Sequence, residues 1–152
     1  MSGFRIEREY PHPVEAVWLA VTDPQIVPQW TAAGRGARPV GFVPEVGCRF
    51  RFVARPLPGW NGVVDCEVLA VERPHLLQFT WQGGDGEVPT VVTYRLAPSG
   101  EGTRLTYTHT GFTGVGGRAM ALLLGAVRRR MLGTALPAVL HRRDDGERPD
   151  AG

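Results

Sequence analysis

The sequence contains no lysine, so each of its 17 basic residues is an arginine. This absence excludes a Walker-type phosphate loop, a Schiff-base lysine and a lysine general base. The basic residues are opposed by 15 acidic ones. The resulting net charge of +2 is too balanced to indicate binding to nucleic acid without a concentrated basic patch. We therefore predict no nucleic-acid partner.

Cysteine and histidine are also scarce. The two cysteines, Cys48 and Cys66, lack CxxC spacing, which favours reduced thiols in the core over a disulfide or a metal site. The four histidines, at positions 12, 75, 109 and 141, show no metal-ligand spacing. We predict no metal and no cofactor.

No apolar run is long enough to cross a membrane. The longest, Ala119–Val127, is about half of the roughly 20 residues that a membrane helix needs. The N-terminal MSGFRIEREY lacks the apolar core of a signal peptide, so we expect a cytoplasmic protein. The length of 152 residues fits a single domain, which we place at residues 1–143. The polar segment 144–152, DDGERPDAG, is expected to be a disordered tail.

The stretch Gly117–His141 predicts one long C-terminal helix. At about 100° per residue, one of its faces is apolar and is expected to pack against the sheet. That face consists of Met120, Leu123, Leu124, Val127, Met131 and Ala135. A second apolar stripe beside it consists of Leu132, Leu136 and Leu140. Because Pro137 has no amide hydrogen, we expect a kink or a break between Gly133 and Pro137.

Three consecutive arginines, Arg128–Arg130, also lie on this helix. Successive residues point in different directions around a helix, so the three cannot form one patch for nucleic acid. We expect Arg128 and Arg130 to border the apolar face and Arg129 to point away from it. The prediction is a solvated helix with arginine borders.

Alternating apolar and polar residues predict a sheet. The first strand is Phe4–Tyr10, and two short helices follow at Val14–Val21 and Pro24–Trp30. Further strands, separated by turn residues, are predicted around Val40 and at residues 48–54, 62–71, 76–82, 88–97 and 103–110. An antiparallel sheet of about seven strands with one apolar face needs a cover, and the long helix is the only element large enough to provide it. The expected class is α+β.

The two cysteines give this sheet a testable register. If the hairpin after the strand at residues 48–54 turns around Leu57, Cys48 lies opposite Cys66 on the inner face. Opposed residues have β-carbons roughly 5 Å apart. We therefore expect the two thiols to be unbonded neighbours.

The order of elements resembles the helix-grip fold of the START/Bet v 1-like (SRPBCC) superfamily. The wording of several segments is similar, more narrowly, to the Activator of Hsp90 ATPase homologue 1-like family. These segments are PVEAVW at 13–18, TDP at 22–24, VLAVERPHLLQFTW at 68–81 and GTRLTYTHTGF at 102–112. The resemblance implies a curved sheet wrapped on a long C-terminal helix, with an elongated apolar cavity between them. The chain departs from the family at Gly114–Gly117, where a histidine-glycine-tryptophan stretch often opens the last helix.

Residues facing inward supply the candidate site. Tyr94, Tyr107 and His109 are the candidates for catalysis, because tyrosine and histidine can hold or protonate an oxygen of a polycyclic substrate. The alternative is that these rings only fill the core. The predicted ligand-binding residues are Trp30, Phe52, Trp60, Phe79, Trp81, Tyr94, Tyr107, His109, Met120, Leu124, Val127 and Met131.

Three functions stay open at this point, and so does the question of whether the protein is an enzyme. The first is cofactor-free binding of a small apolar or aromatic molecule, for carriage, sensing or sequestration. The resemblance adds antibiotic self-resistance as one form of sequestration. The second is a polyketide cyclase or aromatase, and the third is a module that interacts with a chaperone. The chain is expected to be a monomer or a homodimer.

Overall fold

The computed structural model of the chain describes residues 2–31, 37–56, 58, 61–83 and 88–147. Its strands form one antiparallel sheet in the order β1-β7-β6-β5-β4-β3-β2. The strands are β1 (Ser2–Tyr10), β2 (Arg38–Val40), β3 (Arg49–Val53), β4 (Val63–Glu72), β5 (Leu76–Trp81), β6 (Thr90–Ser99) and β7 (Gly102–Phe112). The predicted curved antiparallel sheet is confirmed.

The helices take the predicted places. Two short ones, α1 (Val14–Thr22) and α2 (Val27–Trp30), separate β1 from β2. After β7 come α3 (Gly114–Arg130), a π-helical segment (Met131–Ala135) and α4 (Leu136–Glu147). The predicted domain boundary at residue 143 therefore falls inside α4, which continues to Glu147. Residues 148–152 of the predicted tail lie outside the described residues.

Strand alternation gives the inner face of the sheet correctly. Tyr94 of β6 pairs directly with Tyr107 of β7, and both side chains are buried, as are Phe79 of β5 and Cys66 of β4. The intervening residues lie on the other face, where Arg95 is exposed and Thr106 and Thr108 are half-buried. The facing follows from the two-residue period of a strand and needs no other information.

The predicted cysteine register is wrong by two residues. Cys66 pairs with Phe50, and Cys48 lies just before β3, where its sulfur accepts a hydrogen bond from the Val43 amide at 3.4 Å. The Ala54 amide bonds the Gly62 carbonyl at 2.8 Å, so the hairpin centres on residue 58 instead of Leu57. Moving the centre of a hairpin by one residue shifts every pair by two and leaves the inward and outward faces unchanged.

The predicted orientation of α3 is also wrong. Met120 is 46% exposed and Val127 41% exposed, whereas the buried residues of α3 are Ala121 and Gly125. A β-carbon on Gly125 would lie 3.4 Å from the Phe4 ring of β1, so α3 approaches the edge of the sheet through its small residues. That close approach rotates the larger apolar side chains away from the sheet.

The expected distortion before Pro137 takes the form of the π-helical segment, in which the Leu136 amide bonds the Met131 carbonyl. Such a segment is a recognised cause of helix bending. Beyond it the second apolar stripe becomes the core face, because Leu132 and Leu136 are fully buried. The Tyr10 hydroxyl donates to the Leu132 carbonyl at 2.7 Å and ties this segment to β1.

Candidate functional site

A small cavity lies between the inner face of the sheet and the helices. Its volume is about 40 Å³, which is room for a few water molecules. Eleven residues from β3, β5, β6, β7, the first two helices, the following loop and α3 line it. They are Val21, Val27, Trp30, Thr31, Ala37, Phe52, Phe79, Trp81, Tyr94, Tyr107 and Arg128.

Aromatic rings in mutual contact form the sheet side of this cavity. Phe52 and Trp81 have ring centroids 5.7 Å apart, and Phe79 and Tyr94 lie at 6.3 Å. Tyr94 and Tyr107 meet edge to face at 5.0 Å, an arrangement that aromatic pairs favour. The structure thus brings together five of the residues that the sequence predicted, and all five line the cavity.

Trp30, another residue of the predicted set, also lines the cavity and is nearly fully buried at 1% exposure. Its indole N–H donates to the Ala20 carbonyl at 2.8 Å, which fixes the ring between α1 and α2. Trp30 is therefore part of the wall and not of an opening. Trp60, which also belongs to the predicted set, lies outside the described residues.

Arg128 is a cavity residue that the sequence analysis placed in solvent. Its guanidinium carbon lies 4.9 Å from the centroid of the Trp81 ring, within the range of a cation–π interaction. One terminal nitrogen donates to the Met131 sulfur at 3.4 Å, a weak acceptor. The Nε–H group is shielded from water and has no hydrogen-bond partner among the described residues.

The signal for Arg128 was present in the sequence. Gly117, Ala121 and Gly125 form a stripe of small residues, and at about 100° per residue Arg128 falls within roughly 20° of Gly117 and of Ala121. A stripe of small residues permits close packing, so it marks a buried seam as readily as a stripe of leucines does. Interpreted in that way, the pattern predicts that Arg128 faces the core.

The two tyrosines are held protonated by their surroundings. Burial raises the pKa of Tyr94 far above its usual range, and the neighbouring Tyr107 adds to the effect. Burial likewise raises the pKa of Tyr107, while the charge of Arg128 and its hydrogen bonding to the phenol oxygen oppose that rise. Both phenols can therefore donate a hydrogen bond to a ligand, and neither is poised to act as a base.

His109, a candidate for catalysis, lies behind the cavity wall. It is fully buried, its ring is 5.7 Å from that of Trp81, and it is not one of the lining residues. Its Nε2 lies 2.6 Å from the Thr90 hydroxyl, which itself donates to the Trp81 carbonyl at 3.1 Å. Nε2 must therefore carry the proton, and Nδ1 has no partner among the described residues. Burial, assisted by the charge of Arg128, lowers the pKa of His109 to about 3, so the imidazole is neutral.

The four helix residues of the predicted set are less central. Met120 and Val127 are exposed, and Leu124 is partly buried. Met131 is buried but meets the cavity only through its contact with Arg128. The rotation of α3 towards its small residues explains why none of the four lines the cavity. Of the residues of α3, Arg128 alone lines the cavity.

A larger concavity of about 690 Å³ opens on the outer face of β2–β5. Its charges are paired across strands, with Arg49 and Glu67 at 3.1 Å and Arg51 and Asp65 at 2.7 Å. Because these groups neutralise one another, the groove presents no single unbalanced charge to a ligand.

Within the described ranges, no group of three or more His, Cys, Asp or Glu side chains could hold a metal ion. No helix in that part of the chain is long and apolar enough to cross a membrane.

Comparison with known proteins gives a consistent result. Residues 11–131 match the family described as Activator of Hsp90 ATPase homolog 1-like protein. Among solved structures, the protein MLL2253 from Mesorhizobium loti is 29% identical, with a TM-score of 0.72 over 97% of this chain and 100% of that one. CalU16 from Micromonospora echinospora is 23% identical, with a TM-score of 0.66 over 95% of this chain and 84% of that one. A protein from Arthrobacter aurescens is 21% identical, with a TM-score of 0.78 over 92% and 86% of the two chains. The last two show likeness of fold alone, and curated proteins give no significant match.

Proposed function

The chain belongs to the Activator of Hsp90 ATPase homolog 1-like family, and from that premise we propose that it binds a small apolar or aromatic molecule in the cavity between its sheet and its C-terminal helix. The family resemblance of the sequence is thereby confirmed. The observation that carries the proposal is the cavity itself, since aromatic rings from four strands line an open space of about 40 Å³ beneath the helices. Enclosed spaces lined mainly by aromatic side chains with a few polar groups are typical of ligand sites.

The cavity must enlarge to accept such a ligand. Pockets for organic ligands usually measure about 300–1,000 Å³, against about 40 Å³ here. Trp81, Phe52 and Arg128 are only partly buried, whereas Trp30, Tyr94 and Tyr107 are closed off from solvent. The first three can move towards solvent without opening the core. We infer that a ligand enters between the Trp81 ring and α3.

The side of α3 beside this entry supports the same proposal. Met120, Leu123 and Val127 are exposed, and on the helix they lie on the side next to the partly buried Leu124. A ligand that extends from the cavity towards this side of α3 would cover part of this apolar surface. Covering it would add favourable burial, at about 25 cal/mol for each Å² of apolar surface removed from water.

The state of the polar groups favours binding over catalysis. A cyclase needs a base as well as an acid. Both cavity phenols have raised pKa values, so they suit donation only. His109 is neutral, but its ring lies behind Trp81 and its Nε2 is already bonded to Thr90.

A fluorescence titration tests the proposal. Binding next to Trp30 and Trp81 should change tryptophan emission in a saturable way when the protein is titrated with a panel of aromatic polyketides and fatty acids. Val21→Phe places a larger ring in the cavity wall and should abolish binding by filling the space. Leu19→Phe, at an exposed position of the same helix, is the matched control and should bind as the wild type does.

Product analysis of the same mixtures separates the remaining alternatives. Saturable binding without turnover supports a carrier, a sensor or a sequestering protein, of which antibiotic self-resistance is one form. Turnover of a polyketide that Tyr107→Phe abolishes supports the cyclase. If no panel member binds, the small-molecule proposal fails and interaction with a chaperone becomes the better hypothesis. Cytoplasmic location and a monomeric or homodimeric state stay predictions.

A further inference from the structure

Arg128 places a charge in the cavity that nothing in the described part of the chain neutralises. The ion pairs of that part involve other arginines, and none of its carboxylates lies within 4.0 Å of Arg128. Its compensating contacts are the Trp81 ring, the Met131 sulfur and the Tyr107 phenol. None of these carries a negative charge. A shielded cation without a counter-ion is unusual, because removing a charge from water is unfavourable unless it is paired.

The Arg128 guanidinium lies against a ring and does not extend into solvent as the head group of a long side chain usually does. Arginine on a surface helix normally extends its head group into water. Arg129 and Arg130, the next two residues, are exposed, while the Arg128 Nε–H is buried. The charged group is thus directed against the ring of Trp81 although solvent is available on the same helix.

The other titratable groups facing Arg128 are neutral and cannot balance it. Burial raises the pKa of Cys66, Tyr94 and Tyr107, so none of them is an anion at neutral pH. Burial lowers the pKa of His109, which removes a second positive charge. Among the described residues, the enclosed part of the site therefore carries one positive charge and no negative one.

We propose that Arg128 selects ligands with a single carboxylate or similar anionic oxygen joined to an apolar ring or chain. The anionic oxygen accepts from the free Nε–H and from a neighbouring terminal N–H of the guanidinium, the paired geometry in which arginine binds carboxylates. The Tyr107 phenol, which keeps its proton, provides a further donor. The apolar body lies against Phe52, Phe79 and Trp81. This inference rests on the proposed function, since it assigns the ligand class of the same cavity.

The test compares two probes of one shape and different charge, 2-naphthoate and 2-naphthamide, by isothermal titration calorimetry at pH 7. Wild-type protein should bind the acid more tightly than the amide. Arg128→Met should weaken naphthoate binding about tenfold or more, as expected for the loss of a charged hydrogen bond, and change naphthamide binding by less than about threefold. Arg128→Lys keeps the charge but not the paired donors, and should lie between wild type and Arg128→Met.

Arg129→Met is the matched control, since it removes the adjacent exposed arginine, and it should leave both affinities unchanged. Thermal melting supplies a second readout, because removing a partly buried charge that has no counter-ion among the described residues should not lower the melting temperature of Arg128→Met. If both probes bind and Arg128→Met weakens them equally or not at all, the inference is overturned and the proposed function stands. If only neutral members of the panel bind, the inference is likewise overturned and the proposed function stands. If neither probe nor any panel member binds, the proposed function itself fails.

Discussion

Acid should destabilise this fold through His109, by an amount that the structure allows to be calculated. In the unfolded chain the imidazole has a pKa of 6.5, and burial lowers that pKa to about 3 in the folded protein. Between these values the unfolded state binds a proton that the folded state does not. The free energy of unfolding therefore falls as the pH is lowered from 6.5 towards 3, by up to about 1.4 kcal/mol per pH unit.

From pH 7 to pH 5 the change amounts to about 2 kcal/mol, a sizeable part of the 5–15 kcal/mol typical of a domain. The window stops at pH 5 so that carboxyl groups contribute little. Glu9, for example, titrates lower still, because hydrogen bonds from Ser99 and Arg104 lower its pKa. The loss in this window can thus be assigned to histidine protonation.

Urea unfolding at pH 7, 6 and 5 measures the effect. His109→Gln keeps a donor to Thr90 but cannot be protonated, so its stability should fall by about 2 kcal/mol less than that of the wild type over this range. Val92→Ala is the matched control, since Val92 pairs directly with His109 across the strands and carries no titratable group. It should be less stable than the wild type at every pH and show the same pH dependence. Equal pH dependence in wild type and His109→Gln would refute the reasoning.

Three further outcomes are expected. Leu132→Ala, at a fully buried position, should lower the free energy of unfolding by about 2–5 kcal/mol in urea, whereas Leu122→Ala, at a 76% exposed position, should lower it by less than about 0.5 kcal/mol. Gly125→Leu should lower the free energy of unfolding by about 1–3 kcal/mol, because the added side chain meets the Phe4 ring beneath α3. Ala126→Leu, on the exposed side of α3, should leave that free energy nearly unchanged. The Cys66 thiol should react with iodoacetamide far more slowly in the native protein than in urea, as followed by mass spectrometry, since burial raises its pKa and limits access. Equal rates in the two states would contradict its placement in the core.

The strands could be predicted because one local property decides their facing. A residue in a strand points inward or outward according to the parity of its position. Tyr94, Tyr107 and Trp81 could therefore be assigned to one face without knowing which strands pair. The cysteine pairing failed because it depended on the centre of a turn, and a one-residue error there moves Cys66 from Cys48 to Phe50.

The helix could not be oriented in the same way, because its rotation depends on how closely it approaches the sheet. Large apolar residues such as Met120 and Val127 indicate which face would bury most surface. Small residues indicate which face can come nearest, and here Ala121 and Gly125 prevail. The two criteria differ by about 100° on this helix. Because of that difference, Arg128 was predicted at the surface but lines the cavity and supplies its charge.

The charge of the cavity follows from burial acting in opposite directions on different groups. Low polarity disfavours any ion, so it keeps the proton on Tyr94 and Tyr107 and removes it from His109. Arginine alone cannot respond, because its guanidinium stays charged in proteins. A lysine at position 128 could shed its proton when buried, but this sequence has none anywhere. Among the described groups, the charge of the site is therefore constant between the pH at which His109 takes up a proton and the pH at which the tyrosines lose theirs. Any pH dependence of anion binding in that range should follow the ionisation of the ligand and not that of the protein.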